Sequence, residues 1–197
     1  MSKAEKTKDH IIERSAPLFN KKGYAGTSLS DIMEATALTK GAIYGNFENK
    51  DELAIAVYNY NFFSLRKRIA KEVMSQESAT DKLLAVTNYY RHNWKQVCER
   101  GGCPILNASV EADDHLSYLK KHVQNSIRIF VKDIGSIIEL GQKNKEFKSS
   151  VNPTDYAYVI LTILEGALML LKTMNNQQLL YATLNRIETI IHEELKK

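Results

Sequence analysis

Six residues between Thr27 and Leu53 have types that core packing does not explain: Thr39, Lys40, Gly41, Ala42, Tyr44 and Asn46. A lysine ammonium can donate to guanine O6 and N7 or to a phosphate, and an alanine methyl can touch a thymine methyl. A tyrosine phenol offers its O–H to a phosphate, an asparagine amide can bond a phosphate without carrying charge, and a glycine lets a backbone approach closely. Thr27, Ser28 and Lys50 fall where helices begin, and unpaired N–H groups at a helix N-terminus favour a phosphate. Together they have the chemistry of a short helix reading the edges of base pairs in a DNA major groove, with neighbours gripping the DNA backbone.

Two short helices and a tight turn must position these groups. Leu29 to Thr36 reads as the first, capped by Thr27 or Ser28, with Leu29, Ile32 and Met33 inward. Thr36-Ala37-Leu38 makes the turn, with Leu38 between the helices, and Thr39 caps a second helix to about Gly45, with Ile43 and Phe47 inward. Ahead of them, Lys6 to Lys22 carries Ile11, Ile12, Ala16, Leu18 and Phe19 at helical spacing and stops at Gly23. Pro17 predicts a local bend, since a mid-helix proline deletes a backbone hydrogen bond at a cost of roughly 3 kcal/mol in a plain host. Residues 1–8 read either as a frayed charged end or as a basic arm whose Lys3, Lys6 and Lys8 reach phosphates.

The spacing then predicts a longer helix from Lys50 to about Met74, with Arg66-Lys67-Arg68 as a solvated face. Further helices are expected over Asp81 to Glu99, Ile105 to Ala112 and His115 to Lys145, with Arg100-Gly101-Gly102-Cys103-Pro104 as a loop. Asn152 should cap a helix that opens with Pro153 and runs to residue 174, and a last helix covers 177–195. The helix over 153–174 is apolar nearly all round its middle and must be buried on more than one side. A two-fold dimer answers that need, with Tyr156, Ile160, Ile163, Leu164, Ala167, Leu180, Leu184, Ile187 and Ile191 as the expected interface. An internal helix pair is the competing reading.

Composition narrows the rest. The 197 residues carry a net charge of +4, with 44% apolar and 25% charged side chains, ordinary for a globular protein and only mildly suggestive of an anionic partner. Three prolines, nine glycines and no alternating strand pattern point to an all-α chain. No stretch of the sequence reaches about 20 uninterrupted apolar residues, so no membrane partner is expected, and the polar N-terminus gives no sign of export. A cytoplasmic, reduced protein is therefore expected, with two cysteines too few for a disulfide framework. His92, Cys98, Cys103 and His115 are the right types for zinc, but their spacing matches no compact zinc pattern, so neither metal nor cofactor is expected. No catalytic constellation is present: there are no suitably paired carboxylates, no serine elbow and no phosphate loop, so an enzyme is not expected.

The first fifty-odd residues resemble the DNA-binding domain of the TetR family of transcriptional regulators. The resemblance rests on Leu18-Phe19, Gly23-Tyr24, Thr27-Ser28, Asp31-Ile32, Lys40-Gly41, Ile43-Tyr44, Phe47, Lys50 and Leu53, in order and at the family's spacing. Ala37 stands where the family usually has glycine, and Gly45-Asn46 where it often has an aromatic residue and a histidine. The resemblance implies a homodimer on double-stranded DNA. In such a dimer an effector bound in the larger domain tilts the helix from Lys50 and respaces the two reading helices.

The expectation is thus an N-terminal three-helix helix-turn-helix DNA-binding domain over residues 1–50 and a larger helical ligand-binding and dimerisation domain over 51–197. Its function is that of a repressor released from a near-palindromic operator by an unknown small-molecule effector. The alternatives are a helical DNA-binding protein without an effector, or a regulator switched by oxidation of Cys98 and Cys103. Tyr90, Trp94, Cys103, Asn107, Glu111, Phe130 and Glu165 are the candidate effector contacts, with Tyr89 and Cys98 beside them; apolar walls with a few polar groups suit a small molecule.

Overall fold

A computed structural model describes residues 2–114 and 116–197; His115, one of the zinc-type side chains above and the expected start of a helix, lies outside them. The helices are α1 (Lys3–Lys22), α2 (Leu29–Thr36), α3 (Lys40–Tyr44), α4 (Lys50–Met74), α5 (Ala79–Glu99), α6 (Pro104–Asp114), α7 (Ser117–Lys143), α8 (Pro153–Met174) and α9 (Gln177–Thr189). Among the described residues the only extended pairing is an isolated antiparallel bridge between Phe147 and Lys196. The chain packs as two compact units, one of Met1–Ser64 with Glu99–Ser126, the other of Leu65–Cys98 with Ile127–Lys197.

In the first unit the charged lead-in is part of the helix. Ser2 Oγ accepts from Glu5 N at 3.2 Å and Ser2 N donates to Glu5 Oε2 at 2.6 Å, a capping box that starts α1 at Lys3. Lys8 is no loose arm: its ammonium lies 3.3 Å from Glu52 Oε1 and 4.8 Å from the Phe47 ring centroid. The helix assignment continues through Pro17 to Gly23, whose φ of 85° ends it with the Gly23 N–H donating to Phe19 O. Ile11, Phe19, Tyr24, Ile32, Ile43, Phe47, Leu53, Val57 and Tyr58 are buried together. Tyr24 meets Phe19 at 5.5 Å and Tyr58 at 6.2 Å between ring centroids, so three aromatic rings fill the centre. Leu29, Met33 and Leu38 are only half-buried; Ile32 and Thr36 are the residues of α2 that reach the core.

In the second unit Glu146 caps α5 from the α7–α8 connection. Its carboxylate accepts from the N–H groups of Ala79 and Thr80, each at 3.0 Å, and from the Thr80 hydroxyl. Burial pushes its pKa up, but these bonds outweigh burial and hold it below the usual carboxylate range. Asn152 caps α8 through Thr154 N and Asp155 N, with Pro153 at the first turn as the sequence predicts. The last expected helix does not run unbroken to 195. It widens into a π-helical turn over Ile190–Leu195, whose carbonyls at Glu193 and Glu194 accept from Lys148 Nζ.

The expected dimer face needs correction. Ile160, Leu164, Ala167, Leu180, Leu184, Ile187 and Ile191 are buried within the protomer, because α8 and α9 turn these faces toward each other and the core of their own unit. Tyr156 and Ile163 are half-buried, and the Tyr156 hydroxyl donates to Glu194 Oε2 at 3.3 Å. The apolar surface left outward on α8 is a different set: Tyr158, Val159, Met169, Leu170 and Met174. Val159, Ile163, Gly166, Leu170 and Met174 recur at helical spacing along one stripe. A Cβ built on Gly166 would meet nothing within 4 Å, so the stripe is indented at its middle. By length and composition alone α8 would also suit a membrane span, contrary to the sequence reading that no stretch comes near one. Its buried Leu161, Leu164, Leu168 and Leu171 are those of a core helix.

Candidate nucleic-acid interface

The loop after Gly23 leads to Ser28, which takes extended backbone angles (φ −87°, ψ 162°) and forms a capping box with Asp31: Ser28 Oγ accepts from Asp31 N at 3.1 Å and Asp31 Oδ2 accepts from Ser28 N at 2.9 Å. Lys22 Nζ sits 2.6 Å from Asp31 Oδ1. The Lys22 hydrogen bond, then those from Ser28, pull the Asp31 pKa down to about 2. Thr27 is fully buried and its hydroxyl donates to Gly23 O at 2.7 Å, so its side chain braces the loop instead of facing a phosphate. Ser28 is exposed at the start of α2, with its hydroxyl also donating to Asp31 Oδ2 at 2.8 Å.

The turn between α2 and α3 is held from α1. Ala37 adopts φ 56° and ψ 31°, the left-handed region where a side chain costs about 1–2 kcal/mol. Two donors from α1 satisfy the last carbonyls of α2: His10 Nε2 to Thr36 O at 3.0 Å, and Arg14 Nε to Ala35 O at 3.0 Å. Because a carbonyl only accepts, the His10 ring must carry its proton on Nε2.

α3 then stands with one face in the core and the other in solvent. Ile43 is buried, and Thr39 Oγ1 caps the helix by accepting from Ala42 N at 3.3 Å. Thr39, Lys40, Gly41 and Tyr44 are exposed, and Ala42 and Asn46 are half-buried. The Lys40 ammonium lies 6.0 Å from the Tyr44 ring centroid, one turn along the same face. A Cβ built on Gly41 meets no atom within 4 Å, so nothing inside the protein requires glycine there. Asn46 Nδ2 donates to Ala42 O at 2.9 Å, which makes the residue a brace for the end of α3. Lys50 is half-buried, with Nζ 3.4 Å from Ala25 O. The predicted set therefore divides: Ser28, Thr39, Lys40, Gly41 and Tyr44 are on the surface, while Thr27, Asn46 and Lys50 help to fix the backbone between them.

The expected effector contacts fall in both units. Cys103, Asn107 and Glu111 belong to the first unit; Tyr90, Trp94, Phe130 and Glu165 belong to the second, with Tyr89 and Cys98. Asn107 and Glu111 direct their polar atoms at backbone groups of α1 and its following loop. Tyr90 and Cys103 are buried, and Trp94 is half-buried with Lys95 Nζ 5.5 Å from its ring centroid. The second unit holds an apolar cavity of about 220 Å³ between α4, α5 and α7, lined by Ile69, Val73, Val86, Phe130, Ile134 and Ile137 among others. Of the predicted contacts Phe130 alone lines it.

An ion pair on its wall escaped the sequence reading. Arg66 forms a two-pronged ion pair with Asp133, Nε to Oδ2 at 2.6 Å and Nη2 to Oδ1 at 2.9 Å, and the Asp133 hydrogen bonds raise the Arg66 pKa further. Arg68 donates to the Tyr89 hydroxyl at 3.0 Å. The triplet read as a solvated face is thus anchored at two of its three members. The Arg66 partner lies 67 residues away in sequence, and no local pattern could have revealed it.

Comparison with known proteins agrees with this geometry. Residues 11–57 match the family model described as bacterial regulatory proteins of the tetR family, and residues 79–187 match that described as the tetracyclin repressor-like C-terminal domain. The chain is similar to a TetR-family transcriptional regulator from Cytophaga hutchinsonii, with 36% identity, a TM-score of 0.95, and coverage of 100% of this chain and 98% of that one. A TetR transcriptional regulator from Chloroflexus aurantiacus J-10-FL has 32% identity and a TM-score of 0.93, covering 100% and 99%. The HTH-type transcriptional repressor NemR of Escherichia coli (strain K12) is 23% identical over 189 residues, 94% of each chain.

Proposed function

Because the chain belongs to the TetR family of bacterial regulatory proteins, we propose that it is a ligand-responsive, DNA-binding transcriptional regulator. It acts as a repressor released from a near-palindromic operator by a small-molecule effector. That the similar NemR of Escherichia coli is a transcriptional repressor supports the sign of regulation. The observation that carries the DNA-binding reading is the outer face of α3, where Thr39, Lys40 and Tyr44 stand exposed around a glycine that no neighbour requires. Residues 1–50 act as the reading domain and 51–197 as the ligand-binding and dimerisation domain.

The working unit is a cytoplasmic homodimer. Its contact is the outward stripe Val159, Ile163, Gly166, Leu170 and Met174 of α8, since an apolar helix face in water gains stability by meeting its own copy across a two-fold axis. A dimer sets one α3 in each of two successive major grooves. The effector occupies the cavity between α4, α5 and α7, whose volume equals that of about seven water molecules. Arg66 and Asp133 on its wall join α7 to α4, the helix that begins at Lys50 next to the reading elements. An effector that prefers the arrangement with this tie broken shifts the population by no more than its differential affinity for the two states. No catalytic role or cofactor enters this reading.

Footprinting on the DNA flanking the protein's own gene, repeated with a metabolite panel, tests the proposal. A protected near-palindrome that one metabolite abolishes is expected. Equal protection of all sequences, unaffected by any metabolite, would mean a structural DNA-binding protein instead.

A further inference from the structure

α6 carries two polar side chains one turn apart, Asn107 and Glu111, and both point at backbone groups of the reading half of the first unit. Glu111 accepts from two consecutive N–H groups, Tyr24 N at 2.9 Å on Oε1 and Ala25 N at 2.7 Å on Oε2. The Asn107 amide donates to Asn20 O at 2.9 Å, Asn20 Oδ1 at 3.0 Å and Gly101 O at 2.8 Å. Asn20 in turn donates to Arg100 O and Gly102 O at 2.7 and 3.1 Å.

The fit is close on both sides. A Cβ on Gly23 would lie 2.8 Å from Glu111 Oε1, and one on Gly101 would lie 2.6 Å from Asn20 O; both glycines have positive φ. Ala25 is gripped at both edges, its N–H by Glu111 and its carbonyl by Lys50 Nζ. Two residues beyond Ala25, Thr27 braces the same loop, and Ser28 then opens α2.

We propose that Glu111, with Asn107 beside it, is a positioning residue for DNA binding: α6 clamps the α1–α2 loop in the one conformation that presents the N-terminus of α2 to a phosphate. The inference rests on the DNA-binding reading of α2 and α3. A carboxylate taking two adjacent N–H groups fixes the orientation of two peptide planes, which a single contact does not. Without it the loop keeps its chain connectivity but loses the plane that sets where Ser28 begins the helix. The residue touches no DNA and acts through the loop. It also gives α6 a grip on the reading elements separate from that of α4.

The experiment compares wild type, Glu111→Ala, Glu111→Gln and Asn107→Ala on the footprinted fragment by fluorescence anisotropy, across a range of salt concentrations. Hydrogen exchange at Tyr24, Ala25 and residues 28–30 is followed in parallel. Glu111→Ala is expected to weaken binding about tenfold and to lower the salt slope by about one per protomer, as loss of one phosphate contact requires. Its helical content should match wild type, and exchange at Tyr24 and Ala25 should be faster. Glu111→Gln keeps one acceptor and should fall between the two; Asn107→Ala should follow the same trend if Glu111→Ala does not fold. Wild-type affinity and slope in Glu111→Ala, or unchanged exchange at Tyr24 and Ala25, would overturn the inference. So would weakened binding with an unaltered salt slope. A wild-type protein that binds no DNA fragment would instead overturn the reading on which it rests.

Discussion

Gly41 and Ala37 sit four residues apart in the reader and invite opposite substitutions. Gly41 has open space where a side chain would be, and alanine is the better helix former by about 1 kcal/mol. Gly41→Ala should therefore raise the melting temperature slightly while weakening operator binding; tighter or equal binding in a gel shift would remove Gly41 from the DNA face. Ala37 has φ 56°, where glycine carries no side-chain penalty, so Ala37→Gly should stabilise the domain by about 1 kcal/mol in urea unfolding with operator affinity unchanged. Asp31 links the reader to pH. Its pKa is held down to about 2 in the folded chain, so its contribution is fully present above the ordinary aspartate value near 4 and disappears as pH falls through about 2. Melting curves of wild type and Asp31→Asn should converge as pH is lowered from about 5 to about 2. A constant gap would mean that the Lys22 and Ser28 bonds do not hold the carboxyl as described.

The elements show which features a sequence carries locally. The bounds of α2, the cap at Thr39 and the start of α8 at Asn152-Pro153 were legible because a cap is written within four residues of the helix it starts. The start of α1 was missed although Ser2 and Glu5 form the same kind of box, because the lysine-rich composition there masked the signal. The expected interface residues are mostly buried within the protomer for a different reason. Helical spacing identified which α8 residues are apolar, but both faces of that helix are apolar, and only the docking of α9 decides which one remains outside. The two faces now make separable predictions. Val159→Glu with Leu170→Glu should yield folded monomers by light scattering with weak operator binding. Leu164→Asp, placed in the core, should cost several kcal/mol of stability by burying an unpaired charge. A Val159/Leu170 variant that remains dimeric would assign the interface elsewhere.

Across the whole molecule, the legible part was the part governed by near neighbours in the chain. The candidate reading face was visible as a run of residues with no packing reason, and Thr39, Lys40, Gly41 and Tyr44 are indeed outward. Side chains that tie distant segments were read by type alone and often wrongly. Asn107 and Glu111 looked like ligand groups and bond α1 and the loop after it, nearly ninety residues earlier, and Arg66 looked solvated and meets Asp133.

The outward face of α3 bears on how such a protein can change over time. The helix is held by the buried Ile43 and Phe47 and by its cap at Thr39, whereas Lys40 and Gly41 contribute almost nothing to packing. Residues 40 and 41 can therefore be exchanged with little cost to folding, and under the proposed DNA-reading role such exchanges would retarget the protein to a new operator without first requiring a reserve of stability.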